Sequence, residues 1–438
     1  MTRGNTRVVH LGGPAAASAL ASYLERLRDQ FPTYARALAS ISAVTDPFTT
    51  LTELPEMDAA AYASVQNDAL ARVGRRAFTV DHTSGTTAQF RKLRLASSLD
   101  DEAEAALCHD AFRLWGITAG DRVLALDIDS SQIYLFYGRV LRQLGAQSYM
   151  FAAVGAGAPA AARIQRLIAN YQPTIIISVP SVMSSLLRRL EEARACRLPA
   201  VPRAILIGEP THPELRSYLR DTLSCEAFSL YGSTEIGSVA AECRMHDGLH
   251  IDVERVLPTI KVTRSGAGTI EGEVLWTTMH FADLPLIKFP THDLIRVSLE
   301  ACRCGRTEPR IVSVRRIHDE VVLFGYKIPY ENFRQSVSHL LLATGFLQIS
   351  VSQSTGPVVL TFVVPSSLAP KRRALQEALF NVDDLRDLID RGFLRAELEF
   401  SDEPMRTGRK IRNVIDTSVS SPRIDLAHAE RTDRDIRW

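Results

Sequence analysis

A chain of 438 residues, 46% hydrophobic and 23% charged, is long enough to bury about two or three cores of ordinary domain size. Its 51 Lys and Arg nearly cancel its 50 Asp and Glu, for a net charge of +1. That balance excludes the basic excess of a protein that neutralises many phosphates, so no nucleic-acid partner is expected. No run approaches the ~18 apolar residues of a membrane span, the N-terminus lacks the compact apolar region of a signal peptide, and six cysteines make no disulfide scaffold at this length. A cytoplasmic protein without a membrane partner is the expectation.

Between residue 121 and about 230, short apolar runs alternate with amphipathic stretches. Residues 122–127 (RVLALD), 174–179 (TIIISV) and 204–207 (AILI) read as buried strands, with 161–171 and 182–193 as helices between them. This alternation predicts an α/β fold with mainly parallel sheets and covering helices, whose ligands sit at the carboxyl ends of the strands. After Gly237 the runs at 250–256, 259–263 and 271–277 are short, β-branched and separated by Gly or Pro. They predict a β-rich subdomain around 238–314 within an N-terminal domain of residues 1–316. From about His318 the pattern becomes strand, helix, strand, strand, helix, strand, with 331–342 helical, 358–364 a strand and 372–389 mostly helical. That is a small C-terminal α+β domain over 317–417, and 418–438 is a polar tail without periodicity.

Several short segments carry chemistry. Thr83-Ser84-Gly85-Thr86-Thr87 follows a predicted strand near 77–80. Its backbone N–H groups and hydroxyls can wrap phosphate oxygens, with Arg91 and Lys92 adding charge. The Gly-x4-Gly-Lys frame of a Walker loop is missing, and a plain turn has the same composition. Tyr231-Gly232-Ser233-Thr234-Glu235 ends a predicted strand over 226–230. The glutamate offers hard oxygens to Mg2+ and the tyrosine a ring for a base; the competing reading is a turn with a solvated glutamate. In Thr291-His292-Asp293-Leu294, the carboxylate can accept both hydroxyls of a ribose. Arg315-Arg316-Ile317-His318-Asp319, with Gly325-Tyr326-Lys327 after it, and Arg406-Thr407-Gly408-Arg409-Lys410 complete the series. Each alone reads equally as a loop with a charge in it.

In this order the five segments resemble the adenylate-forming superfamily of acyl- and aryl-CoA ligases, peptide-synthetase adenylation domains and luciferase. The Gly208-Glu209-Pro210 turn and Cys302-Arg303-Cys304-Gly305-Arg306 place the resemblance nearest the phenylacetate-CoA ligase-like branch, and it runs from about residue 77 to 416. It implies an AMP-forming ligase that uses ATP and Mg2+ to activate a small acid as its adenylate, releases pyrophosphate, and transfers the acyl group to coenzyme A. By the same resemblance, Thr83 to Thr87 wrap the β- and γ-phosphates and Tyr231 stacks on adenine, with Gly232 beside it and Gly208, Glu209 and Pro210 nearby. Glu235 holds Mg2+, Thr234 touches the α-phosphate, Asp293 and Arg316 take the ribose, and Lys410 bridges the acid and the α-phosphate. A mobile C-terminal domain, hinged between Arg316 and Asp319, swaps Lys410 for a loop around Gly325 that lines the path of the acceptor thiol.

The chain departs from the family pattern at Ala88, Gln89 and Phe90, at His318, where the hinge is usually acidic, and at Arg409, where a glycine usually precedes the lysine. These departures bear more on the acceptor than on adenylation. An amine, a carrier-protein thiol, or nitrite activated for diazotisation of an aryl amine are the alternatives. A non-catalytic nucleotide-binding partner is a further alternative, opposed by the presence of Lys410. The polar segment 129–134 (DSSQIY) points to a small or hydrogen-bonding acid. The resemblance also makes a homodimer the assembly to test.

Cys302 and Cys304 are too close in sequence for an unstrained mutual disulfide and suit one shared metal. Some members of the branch carry a structural zinc in a similar arrangement, which makes Cys243, His250, Cys302 and Cys304 a candidate Cys3His site with His246 as the competing ligand. Reduced surface thiols are the other reading, and Cys108, Cys196 and Cys225 are expected in the core.

Overall fold

The run Ile175–Ser178 is buried at every residue, as a strand covered on both faces must be. The computed structural model describes residues 7–41, 46–73, 78–82, 93–127, 132–152, 158–192, 200–317, 319–323, 326–341, 345–352, 357–383, 385–407 and 410–416. In it the strands Gln147–Ala152, Arg122–Asp127, Ile175–Ser178, Arg203–Ile207 and Glu226–Ser233 lie side by side in that order, all parallel. Period-two alternation sends Val123 and Ala125 to one face and Leu124 and Leu126 to the other. The first face packs against helices Ser98–Leu114 and Gln132–Gln143. The second packs against Ala158–Tyr171, Pro180–Glu192 and Pro213–Leu223.

At Glu226–Ser233 the direction changes. Gly237–Glu242 pairs with it antiparallel, and the sheet runs on through Leu249–Ile251, Arg310–Arg316, Phe289–Ser298, Thr269–Thr278, Val256–Gly266 and Val8–His10. The β-rich stretch is therefore one continuous twelve-stranded sheet with the parallel part, rather than a sheet of its own. Helices Pro14–Gln30, Pro32–Ala39 and Ala59–Val73 cover it. Glycine makes the reversal possible: a Cβ on Gly232 would stand 2.2 Å from the Gly237 carbonyl oxygen, and Gly237 has φ +70. Strand order switches at Arg122–Asp127, which has Gln147–Ala152 on one side and Ile175–Ser178 on the other, and a ligand crevice is expected at the carboxyl end of such a strand.

The chain divides into two compact units, the first ending at His318 and also taking Thr407–Lys410, the second holding Asp319–Arg406 and the residues from Ile411 on. In the second, Leu394–Ser401, Val358–Pro365, Gln348–Ser352 and Val414–Asp416 form a four-stranded sheet in that order. Helices Tyr330–Val337, Arg372–Phe380 and Leu385–Asp390 complete its core. The helix expected over 331–342 ends at Val337, where the Ser336 and Ser338 hydroxyls donate back to the Phe333 and Gln335 carbonyls and compete with the helical ladder.

Asp100, in the first turn of Ser98–Leu114, is buried and accepts from the backbone N–H groups of Ala282, Asp283 and Leu284 at 2.6, 3.1 and 2.9 Å. Burial raises its pKa, opposed by these same bonds. Asp100→Ala leaves buried donors unpaired and is expected to lower stability by about 3 kcal/mol, read as a lower urea midpoint. An unchanged midpoint would show that the loop does not depend on this carboxylate.

Candidate active site

Asp293 lies directly opposite Arg316 in the pairing of Phe289–Ser298 with Arg310–Arg316. Arg316 Nε stands 3.1 Å from Asp293 Oδ1, and its guanidinium also donates to the Thr291 carbonyl at 3.0 Å. From the other side the Tyr231 hydroxyl donates to Asp293 Oδ2 at 2.6 Å. Asp293 is only 4% exposed, and a carboxylate so buried needs both partners. Burial and then the neighbouring carboxylate hold the Tyr231 phenol well above its ordinary range, so it stays a neutral donor. Its ring lies 5.8 Å from Trp276.

The Tyr231–Asp293 bond was not readable from the motifs. The two residues stand on strands separated by three others in the sheet, so the contact exists because the sheet curls back on itself.

Beyond Tyr231 the chain turns through Thr234 and Glu235, both half-buried. The Ser233 hydroxyl donates to Glu235 at 2.9 Å. Past the turn, the Ser238 N–H donates to the buried Glu104 at 3.0 Å, and the Tyr137 hydroxyl shares a hydrogen bond of 2.9 Å with that of Ser238. A narrow crevice beside this point is lined by Val123, Ala125, Tyr137, Ser178, Val179 and Ile207 among others. Next to it Gly208 has φ +81. Glu209 accepts from the Ser181 N–H and hydroxyl, each at 3.0 Å. It thus satisfies the start of Pro180–Glu192, a capping role that the sequence reading missed.

A second cluster lies at other ends of the same strands. The donor atoms of Cys243, His250, Cys302 and Cys304 all lie within 4.8 Å of one another. Cys243 Sγ and Cys302 Sγ are 3.7 Å apart, Cys304 Sγ and His250 Nε2 3.5 Å. Tetrahedral zinc with bonds of about 2.3 Å to sulfur and 2.0 Å to nitrogen requires edges of roughly 3.5–3.8 Å, so the donor set fits. Burial, with Arg306 next, pushes His250 down to about 4, which keeps it in the neutral, ligand-competent form. Burial pushes the Cys243 thiol up to about 11. Cys302 lies below the ordinary thiol range, because the Cys304 N–H and the adjoining thiols outweigh its burial. His246 turns elsewhere: its ring nitrogens stand 3.2 Å from Glu226 and 3.5 Å from Glu242. Cys108 and Cys225 are buried.

Thr83, Ser84, Gly85, Thr86 and Thr87 lie outside the described residues, as do Ala88 to Lys92, Asp129 to Ser131, Cys196, His318, Gly325, Gly408, Arg409 and the stretch 417–438. Lys410 is placed by its backbone alone, in the short strand Lys410–Ile411.

Residues 15–266 match the AMP-binding enzyme family, more than half of the chain. The chain belongs to the AMP-binding enzyme family. Tyr231 to Glu235 fall within the matched span, and Asp293, Arg316 and Lys410 beyond it. Phenylacetate-coenzyme A ligase of Thermus thermophilus is 27% identical over 202 residues, covering 44% of this chain and 45% of that protein. The Escherichia coli protein of the same name is 29% identical over 174 residues, covering 37% and 39%. The chain thus aligns with less than half the length of these curated relatives. The solved structure of 2-hydroxyisobutyryl-CoA ligase in the postadenylation state, in complex with R3-HIB-AMP, has a TM-score of 0.71 at 16% identity and covers 95% of this chain and 90% of that one. At that identity the likeness shows the α/β fold alone. Among the described residues no helix is long and apolar enough to cross a membrane.

Tyr231→Phe removes one of two partners of a buried carboxylate and keeps the ring. It is expected to cost about 1–2 kcal/mol, read by urea unfolding of the first unit; wild-type stability would mean that another donor replaces the hydroxyl.

Proposed function

We propose that this chain is an AMP-forming ligase that activates a small acid as its adenylate with MgATP and passes the acyl group to coenzyme A. The observation that carries the reading is Asp293, buried, with its oxygens aligned by Tyr231 and Arg316, in a chain of the AMP-binding family. A carboxylate fixed in this way keeps lone pairs for two adjacent ribose hydroxyls and loses little freedom on binding them. Tyr231, tethered through its hydroxyl, presents its ring to adenine beside the Gly208 to Pro210 turn. Thr83 to Thr87 wrap the β- and γ-phosphates, Thr234 touches the α-phosphate, and Arg316 adds a ribose contact.

In the first step an oxygen of the acid attacks the α-phosphorus, the bond to the bridging oxygen breaks, and its electron pair leaves with pyrophosphate. Mg2+, when bound at Glu235, supplies the charge that stabilises the equatorial oxygens. Lys410 contributes a point charge between the acid and the α-phosphate. In the second step the thiol of coenzyme A takes the acyl carbon and AMP leaves. The names of the curated relatives and of the structural neighbour, all CoA ligases, support a thioester product. The polar residues of segment 129–134 support a small or hydrogen-bonding acid. A cytoplasmic homodimer is the setting this reading carries.

Cys243, His250, Cys302 and Cys304 would hold a structural Zn2+. With four protein ligands it cross-links the chain and leaves no open position for chemistry.

The decisive measurement is pyrophosphate release with MgATP across aryl acids, small aliphatic acids, amino acids and nitrite, each with and without coenzyme A, and nitrite also with an aryl amine. Turnover with an acid that depends on coenzyme A is expected. Release that answers only to nitrite with an amine would move the acceptor. Silence throughout would leave a non-catalytic nucleotide binder. Lys410→Ala is expected to slow adenylation about 100-fold or more, and an unchanged rate would remove this mechanism.

Protein purified without chelators is expected to carry about one zinc per chain by elemental analysis. Cys302→Ser should lose that metal and melt lower; full occupancy in the variant would show that the metal sits elsewhere.

A further inference from the structure

Glu104 is a charged residue in the middle of helix Ser98–Leu114, 4% exposed. Nothing in the adenylation chemistry uses it. Burying a carboxylate costs several kcal/mol unless it is well bonded, so its position calls for a physical reason.

Its surroundings give one. Oε1 accepts from the Ser238 N–H at 3.0 Å, three residues past Glu235 in the chain. The carboxyl group also lies flat against Gly237: a Cβ there would stand 2.6 Å from Glu104 Cδ and 2.8 Å from Oε2. Gly237 has φ +70, a backbone conformation that other residues resist. The same Ser238 is held by its hydroxyl to Tyr137 on helix Gln132–Gln143. The chain leaving Glu235 is thus fastened, within three residues, to two helices on one face of the sheet.

We propose that Glu104 is a positioning residue for Glu235. Its carboxylate fixes Gly237 and the Ser238 N–H, and so sets where the Glu235 carboxylate meets Mg2+. The inference rests on Glu235 as the Mg2+ ligand of the proposed reaction. Groups hydrogen-bonded to a metal ligand commonly change its affinity about 10–100-fold when lost; Glu104 acts through the backbone of Gly237 and Ser238, and the low end of that range is the expectation. A glutamine in place of Glu104 keeps the size and an acceptor oxygen, and so separates acceptor geometry from charge.

The test needs no knowledge of the acid. ATP binding to the full chain is measured by calorimetry with excess Mg2+ and with EDTA, and the ratio of the two affinities is the Mg2+ enhancement. Glu104→Leu, which fills the volume without an acceptor, is expected to reduce that enhancement about tenfold while ATP binding in EDTA changes less than about threefold. Glu104→Gln is expected to retain it within about threefold. Should the leucine variant not fold, Glu104→Asp withdraws the acceptor by one methylene and carries the same expectation. Glu235→Ala is run beside them. Full enhancement in Glu104→Leu or Glu104→Asp, with loss in Glu235→Ala, overturns the positioning role and leaves the proposed function standing. Full enhancement in Glu235→Ala overturns the metal role of Glu235 itself, and the inference falls with it.

Discussion

The close approach of Gly232 to the carbonyl of Gly237 is the contact on which the site depends. With the Gly237 oxygen 2.2 Å from where a Cβ would be, only a glycine lets Glu226–Ser233 and Gly237–Glu242 come together as a tight antiparallel pair. The register shifts between Tyr231 and Gly232, and such an irregularity re-aims the side chains beside it. One consequence is that Tyr231 faces the antiparallel core, packed against Trp276. Another is that Thr234 and Glu235 stand at the tip, where parallel pairing gives way to antiparallel. A larger residue at either glycine would separate these groups before it changed any charge.

The second constraint is the curl of the sheet. Strands not adjacent in the ladder meet where Tyr231 reaches Asp293. The aspartate accepts from a neutral phenol on one oxygen and pairs with a guanidinium on the other. These partners act differently. The guanidinium offsets the buried charge, whereas the phenol fixes orientation, because burial and the carboxylate together hold its proton in place. Orientation is the part that a ribose would exploit, since two hydroxyls in a fixed relation need two oxygens in a fixed plane.

Much of this was legible in the sequence. The isoleucine run of Ile175–Ser178 and the strand Arg122–Asp127 announce themselves by apolar continuity, and the order of the charged motifs led to the family that residues 15–266 match. The spacing of Cys302 and Cys304, with the resemblance to the branch, also named the four residues whose donor atoms converge. Three features were not legible, for one reason: each depends on a partner distant in sequence. Glu209 also accepts from Ser181, 28 positions earlier, a partner that the local motif does not show. Glu104 belongs to none of the motifs, and its partner Ser238 stands 134 positions later. The β-rich stretch looked like a subdomain because composition changes at Gly237, whereas the sheet continues across that point through an antiparallel pair with one register shift. Residue pattern reports the local environment of a strand and says little about which strand lies beside it.

The position of the Cys3His cluster follows from the same ladder. Gly237–Glu242 leads from the Glu235 turn to Cys243, and Arg310–Arg316 leads from the Cys302 to Cys304 loop to the residue that pairs with Asp293. Between them His250 stands opposite Ala241 on one side and Arg310 on the other. The donor atoms therefore gather where the two strands that carry Glu235 and Arg316 have their other ends. Leu249–Ile251 is only three residues long, too short a ladder to fix both neighbours firmly by backbone bonds alone. A tetrahedral cross-link at this corner would supply the missing rigidity without entering the chemistry, in the way structural zinc sites contribute to folding.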